Sequence, residues 1–96
     1  MLYLISYDVS TEDLAGRRRL RRVACACEDY GIRVQNSVFE CELLYGEYLL
    51  FKERLAGLIE DKTDSLRIYP LGKHGRDKVV HLGVDRSIDV TGPLIL

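Results

Sequence analysis

The sequence predicts an α+β fold, a small antiparallel sheet carrying two helices on one face. Three observations predict it. The chain opens on a short run, residues 2–8, with apolar side chains on both faces of an extended strand. An i, i+3, i+4, i+7 stripe of Leu20, Val23, Ala24 and Cys27 follows and marks an amphipathic helix. A second helical stripe, Leu44, Tyr48, Phe51, Leu55 and Ile59, lies between two further β-rich segments. The order of elements is therefore β-α-β-β-α-β.

In residues 2–8, Tyr3, Ile5 and Tyr7 share one face with Met1, and Leu2, Leu4 and Ser6 share the other. Apolar residues on both faces suit a central strand. It ends on Asp8 and turns through Val9, Ser10 and Thr11. Ser10 and Asp13 have the spacing of a capping box, with Asp in place of the usual Glu. A helix is expected from there to Tyr30, closed by Gly31 as its C-terminal cap. Residues 32–43 read as two strands or one bent ribbon, with Val34, Val38 and Phe39 as β-formers and a turn near Gln35, Asn36 and Ser37. A second helix is expected over residues 45–60, a polar break over 61–64, and a strand over 66–71 ended by Pro70. This is the split βαβ, or ferredoxin-like, order, complete within residues 1–71.

Residues 72–96 form an appendage to that core, within a single domain. Residues 72–77 read as a polar linker and 79–84 as a fifth strand. An exposed sheet edge must be paired or protected, so the fifth strand is expected to pair across a C2 homodimer. The apolar tail at Leu94, Ile95 and Leu96 is expected either to be disordered or to dock on the dimer or a partner protein.

Composition narrows the function classes. Ninety-six residues support a single core. A net charge of −1 excludes a globally basic nucleic-acid binder, so any such role needs a local patch. Three cysteines without a CxxC pair argue for a reducing compartment and against a zinc site or disulfide framework. Cys25 and Cys27, two apart on a helix, point in different directions. No apolar run is long enough to span a membrane, and the N-terminus lacks signal-peptide features. A cytoplasmic protein without membrane contact is expected.

Two features carry candidate chemistry. Asp8 is a lone carboxylate at the end of an apolar strand, where carboxylates are rare without a partner. It is read as a functional group on a rigid element, against the alternative of a turn cap or an arginine partner. The second feature is the run Arg17, Arg18, Arg19, Arg21 and Arg22, five arginines in six positions. With Leu20 inward, Arg18, Arg21 and Arg22 point outward, and Arg17 and Arg19 border the apolar stripe. The ordinary alternative is a solvated face neutralised by Glu12, Asp13, Glu28 and Asp29. Arginine suits bidentate phosphate contact, and a dimer doubles the patch along a duplex backbone. Arg17, Arg18, Arg21 and Arg22 are the candidate nucleic-acid contacts. His74 and His81 have no metal-pair spacing, and Ser6, Ser10 and Ser37 lack a nucleophile-elbow context. Tyr3, Tyr7 and Phe39 are candidates for base stacking, core or dimer interface.

The Tyr7–Asp8–Val9 strand end, the arginine-rich helix, and above all Gly31–Ile32–Arg33–Val34–Gln35–Asn36–Ser37–Val38–Phe39–Glu40 resemble the CRISPR-associated Cas-two family. The resemblance implies a ferredoxin-like homodimer acting in spacer acquisition beside the Cas-one integrase. It implies either a metal-dependent endonuclease on RNA or double-stranded DNA, or a non-catalytic DNA-binding scaffold. On the first reading, an Asp8 pair across the two-fold axis holds Mg²⁺ (or Mn²⁺). Two carboxylates plus phosphate and water meet the minimum for that ion, and without a cation they repel. Tyr7, Ser10, Ser37 and Phe39 are then supporting residues: Ser10 and Ser37 for substrate or water, Phe39 for the shape of the interface. Arg17 and Arg18 hold phosphate oxygens.

Overall fold

In the computed structural model, which describes residues 1–72 and 79–84, the chain forms one sheet of five strands in the order β2-β3-β1-β4-β5. The elements are β1 (Leu2–Asp8), α1 (Leu14–Tyr30), β2 (Ile32–Gln35), β3 (Val38–Glu42), α2 (Tyr45–Leu58), β4 (Ser65–Pro70) and β5 (Val80–Gly83). Every neighbouring pair is antiparallel. The expected α+β, ferredoxin-like fold is the one observed.

β1 is the central strand, as its two apolar faces predict. It pairs with β3 through Ile5↔Phe39 and with β4 through Ile5↔Ile68. Tyr3, Ile5, Tyr7, Phe39, Cys41, Leu66 and Ile68 face the helices and meet Val23, Ala26, Cys27, Phe51 and Leu55 in a single buried core. Full burial of each large apolar side chain contributes about 1.5–3 kcal/mol. Stacked rings tie the layers together: Tyr3 on Tyr48 at 4.4 Å between centroids and Tyr30 on Phe51 at 4.5 Å. Among the described residues, the opposite face of the sheet carries no helix. Leu2, Leu4 and Ser6 lie there half-buried, beside Val38, Arg67 and Tyr69 of the flanking strands.

Several local expectations are corrected. The cap of α1 is not Ser10 but Asp13, whose carboxylate accepts a 2.7 Å hydrogen bond from Gly16 N. Ser10 belongs to the preceding loop, where its own N–H is held by a distant carboxylate. Gly31 does cap the C-terminus, and its N–H donates to Cys27 O. Its backbone is extended, so left-handed freedom is not why glycine stands there. A Cβ would run into Cys41 Sγ and the Glu40 carbonyl. Residues 32–42 resolve into two strands joined at Asn36 and Ser37, with a register shift between Arg33 and Gln35. α2 ends at Leu58, and Leu44 and Ile59 cap it instead of continuing its stripe. Pro70 closes β4.

The fifth strand exists, but not as an exchanged element. β5 pairs with β4 of the same chain, through Leu66↔Leu82 and Ile68↔Val80. Val80 and Leu82 pack on the chain's own core. A fold of order β2-β3-β1-β4 leaves the outer edge of β4 unpaired, and β5 satisfies it locally. Most of the polar linker (residues 73–77, with His74) and the apolar tail lie outside the described residues.

Candidate functional site at the carboxyl end of the central strand

Asp8 is the last residue of β1 and is exposed. It stands opposite Ser65 of β4 and, by strand alternation, on the helix-free face with Ser6. Its neighbours Tyr7 and Val9 are both buried. Tyr7 N donates to Ser37 O at 3.1 Å, and Ser10 N to Asp64 Oδ1 at 3.0 Å. The carboxylate therefore projects from backbone that is fixed on both sides.

The same end of the molecule carries the arginines. Arg17, Arg18, Arg21 and Arg22 are all exposed, as the helical spacing predicts. Three of their four supposed neutralisers are engaged elsewhere: Glu28 pairs with Arg33 at 3.1 Å, Asp29 with Arg54 at 2.9 Å, and Asp13 caps the helix. None of the ion pairs found among the described residues involves those four arginines. Arg17 and Arg21 instead line a groove of about 660 Å³ between α1 and the β2–β3 turn. Leu20 and Ala24 supply its apolar wall, Arg33, Asn36 and Ser37 its far side, and Tyr7 and Thr11 complete it. The lining contains three guanidinium groups and no carboxylate. Arg18 and Arg22 are not part of the lining.

Other predicted site residues fall differently. Phe39 is fully buried, 6.1 Å from Tyr7 between ring centroids. It is a core residue, and the expectation that it shapes an interface is corrected. Tyr3 and Tyr7 are likewise buried and offer no stacking surface. Ser37 lines the groove, and Ser10 acts through its backbone N–H. Arg19 leaves the arginine patch altogether: its Nε donates to Asp64 Oδ2 at 2.8 Å. His81 lies in β5, its Nε2 within 2.8 Å of Val84 O and 3.3 Å of Ser65 Oγ.

The family described as CRISPR associated protein Cas2 matches residues 1–79. The chain belongs to the Cas2 family. A protein of Nitratidesulfovibrio vulgaris named CRISPR-associated endoribonuclease Cas2 is 53% identical over 96 residues, covering 100% of this chain and 94% of that one. A protein of Halalkalibacterium halodurans named CRISPR-associated endonuclease Cas2 is 52% identical, covering 99% of each. Among solved structures, Streptococcus pyogenes Cas2 at pH 6.5 aligns with a TM-score of 0.70 and 54% identity, over 86% of this chain and 100% of that one.

Membership of the Cas2 family sharpens the question of metal. Within a single chain, the described residues contain no group of three or more His, Cys, Asp or Glu side chains that could hold an ion. Asp8 alone does not fit Mg²⁺, and only a second copy would double the carboxylate oxygens.

Two residues at this end escaped the sequence reading. Arg33 lies inside the most family-like segment, yet a lone arginine on a short strand gives no sign of what it faces. Its guanidinium lies 5.1 Å from the centroid of Phe39, joins the groove, and pairs with Glu28. Asp64 falls in the expected polar break, yet it is completely buried. It also accepts from Glu60 N at 2.9 Å and Thr63 Oγ1 at 3.1 Å. Burial alone would raise its pKa, but the hydrogen bonds from Arg19, Glu60 N, Ser10 N and Thr63 outweigh that and hold it below the usual carboxylate value.

Proposed function

We propose that the chain is a metal-dependent endonuclease of the spacer-acquisition (adaptation) stage of CRISPR defence. It hydrolyses phosphodiester bonds in RNA or double-stranded DNA through two Asp8 carboxylates at the axis of a homodimer. It works in the cytoplasm beside the Cas-one integrase. The observation that carries this reading is the placement of Asp8, exposed on rigid backbone at the end of the sheet that also bears the arginine groove. The names of its relatives, endoribonuclease and endonuclease, support the same class.

On this reading Arg17, Arg21 and Arg33 bind phosphate and hold the strand near the carboxylates. Arg18 and Arg22 extend the positive surface along α1. The helix-free face, with half-buried Leu2, Leu4, Val38 and Tyr69, is where a second copy would bring its Asp8 alongside. Bound between the two carboxylates, Mg²⁺ (or Mn²⁺) would polarise the phosphodiester and lower the pKa of a water. A second reading, a non-catalytic DNA-binding scaffold, is favoured by the arginine surface itself, which needs no Asp8.

Asp8→Asn separates the two. Wild type and variant, purified in parallel, are assayed on RNA and on duplex DNA with Mg²⁺, Mn²⁺ or chelator. Cleavage is expected to require the metal and to fall by orders of magnitude in the variant, with binding retained. Equal residual cleavage in both proteins would leave the scaffold reading standing.

A further inference from the structure

We propose that Asp64 is the positioning residue for Asp8: a buried anion that fixes the exit of β1 and so aims the functional carboxylate. The proposal rests on the nuclease reading for its link to catalysis, and on geometry for the rest.

Asp64 has no exposed surface. Its two oxygens accept from Ser10 N in the loop after β1, Arg19 on α1, and Glu60 N and Thr63 Oγ1 in the turn before β4. Its own carbonyl accepts from Val84 N at 2.8 Å, just past β5. One residue thus ties together four segments that meet beside Asp8. Ser10 is two residues beyond Asp8, and it is clamped from both sides. Its N–H is held by the carboxylate, and its carbonyl lies so close to Gly16 that a Cβ there would collide with it. Asp8 itself stands opposite Ser65, the neighbour of Asp64 in sequence, so the two ladders leaving this point share one anchor.

A buried carboxylate satisfied by charge-assisted bonds is rigid, since each bond is lost at a high cost in an interior site. Core stability alone would be served as well by apolar side chains in place of the whole Asp64–Arg19 pair. A carboxylate suits a different need: to hold one backbone N–H, that of Ser10, at a defined place. Misplacing a functional group by about 1 Å lowers a rate by about a hundredfold.

The test compares Asp64→Asn with wild type in the full chain, at a temperature well below the variant's own melting midpoint. Amide hydrogen exchange is read at Asp8, Val9 and Ser10, with Ile5 as the core reference. Exchange at the three strand-end amides is expected to rise about tenfold to a hundredfold, the equivalent of losing a hydrogen bond to a charged group. Ile5 is expected to stay protected. In cleavage, kcat is expected to fall by about a hundredfold with nucleic-acid affinity unchanged. A merely structural role would lower affinity and kcat together with the folded fraction. If Asp64→Asn does not fold, Ser10→Pro removes the one N–H in question and carries the same expectations for exchange at Asp8 and Val9 and for kcat. Unchanged exchange at Asp8 and Val9 in a folded variant overturns the proposal, as does unchanged kcat. Equal cleavage by wild type and Asp8→Asn overturns the nuclease reading instead, and the exchange data then decide alone whether Asp64 holds the strand end.

Discussion

Single residues in this fold are held by contacts that leave little slack. Gly31 lies against Cys41 Sγ and the Glu40 carbonyl, so Gly31→Ala must push the α1 terminus off β3. The expected destabilisation is about 1–3 kcal/mol, read from urea midpoints at constant m-value. Asp64 makes a pH prediction with a definite sign. Its folded-state pKa lies below the ordinary 3.8, so its stabilisation is present above that value and is lost as pH falls through the lower folded one. Asp64→Asn should be less stable at neutral pH and should flatten the acid limb of the stability curve. An acid limb as steep as that of wild type would show that other carboxylates carry it. The cysteines differ by environment. Burial pushes the Cys27 thiol up to about 12 and that of Cys41 to about 11, whereas Cys25 is exposed. Iodoacetamide on the native protein should modify Cys25 alone, as mass spectrometry of peptides will show.

Among the elements, α1 serves two ends at once. Its inner stripe packs on the sheet, and its outer arginines face solvent or the groove beside the β2–β3 turn. Replacing Arg17 and Arg21 with Gln should lower the salt dependence of nucleic-acid binding by about one unit of slope per arginine. Gln is a fair helix former, so the helix should persist by circular dichroism. Replacing Arg18 and Arg22 should do less, because they stand outside the groove. Equal effects from the two pairs would mean that the whole helix face, not the groove, meets the phosphates. Sequence periodicity is well suited to placing such outward side chains, because 100° per residue is a local property. It is poorly suited to cap residues: Ser10 and Asp13 both fit a cap, and only packing chose Asp13.

At the scale of the whole molecule, β5 decides how the sheet ends. It covers the outer edge of β4 and adds Val80 and Leu82 to the core. A chain cut before Lys78 should therefore lose stability in urea and aggregate through the bared β4 edge. A truncated chain as stable and soluble as the full one would show that β5 contributes little where it lies. The proposed homodimer calls for a separate measurement. Sedimentation of the full chain at micromolar concentration should give twice the monomer mass, and a monomer there would remove the basis for an Asp8 pair.

The sequence by itself determined the order and type of the elements, the centrality of β1, the terminal placement of Asp8 and the outward set of arginines. Each of these follows from periodicity and turn chemistry within a few neighbouring residues. Only the tertiary structure decided that Asp64 is a buried anchor, that Arg19 belongs to it, that Arg33 joins the groove, that Phe39 is core, and that β5 pairs within its own chain. Arg19 and Asp64 are 45 residues apart and Ser10 and Asp64 are 54. Nothing local distinguishes an aspartate in a solvated turn from one that the fold encloses. That distinction arises when distant segments close around it, because burial and hydrogen-bond partners are properties of the packed chain.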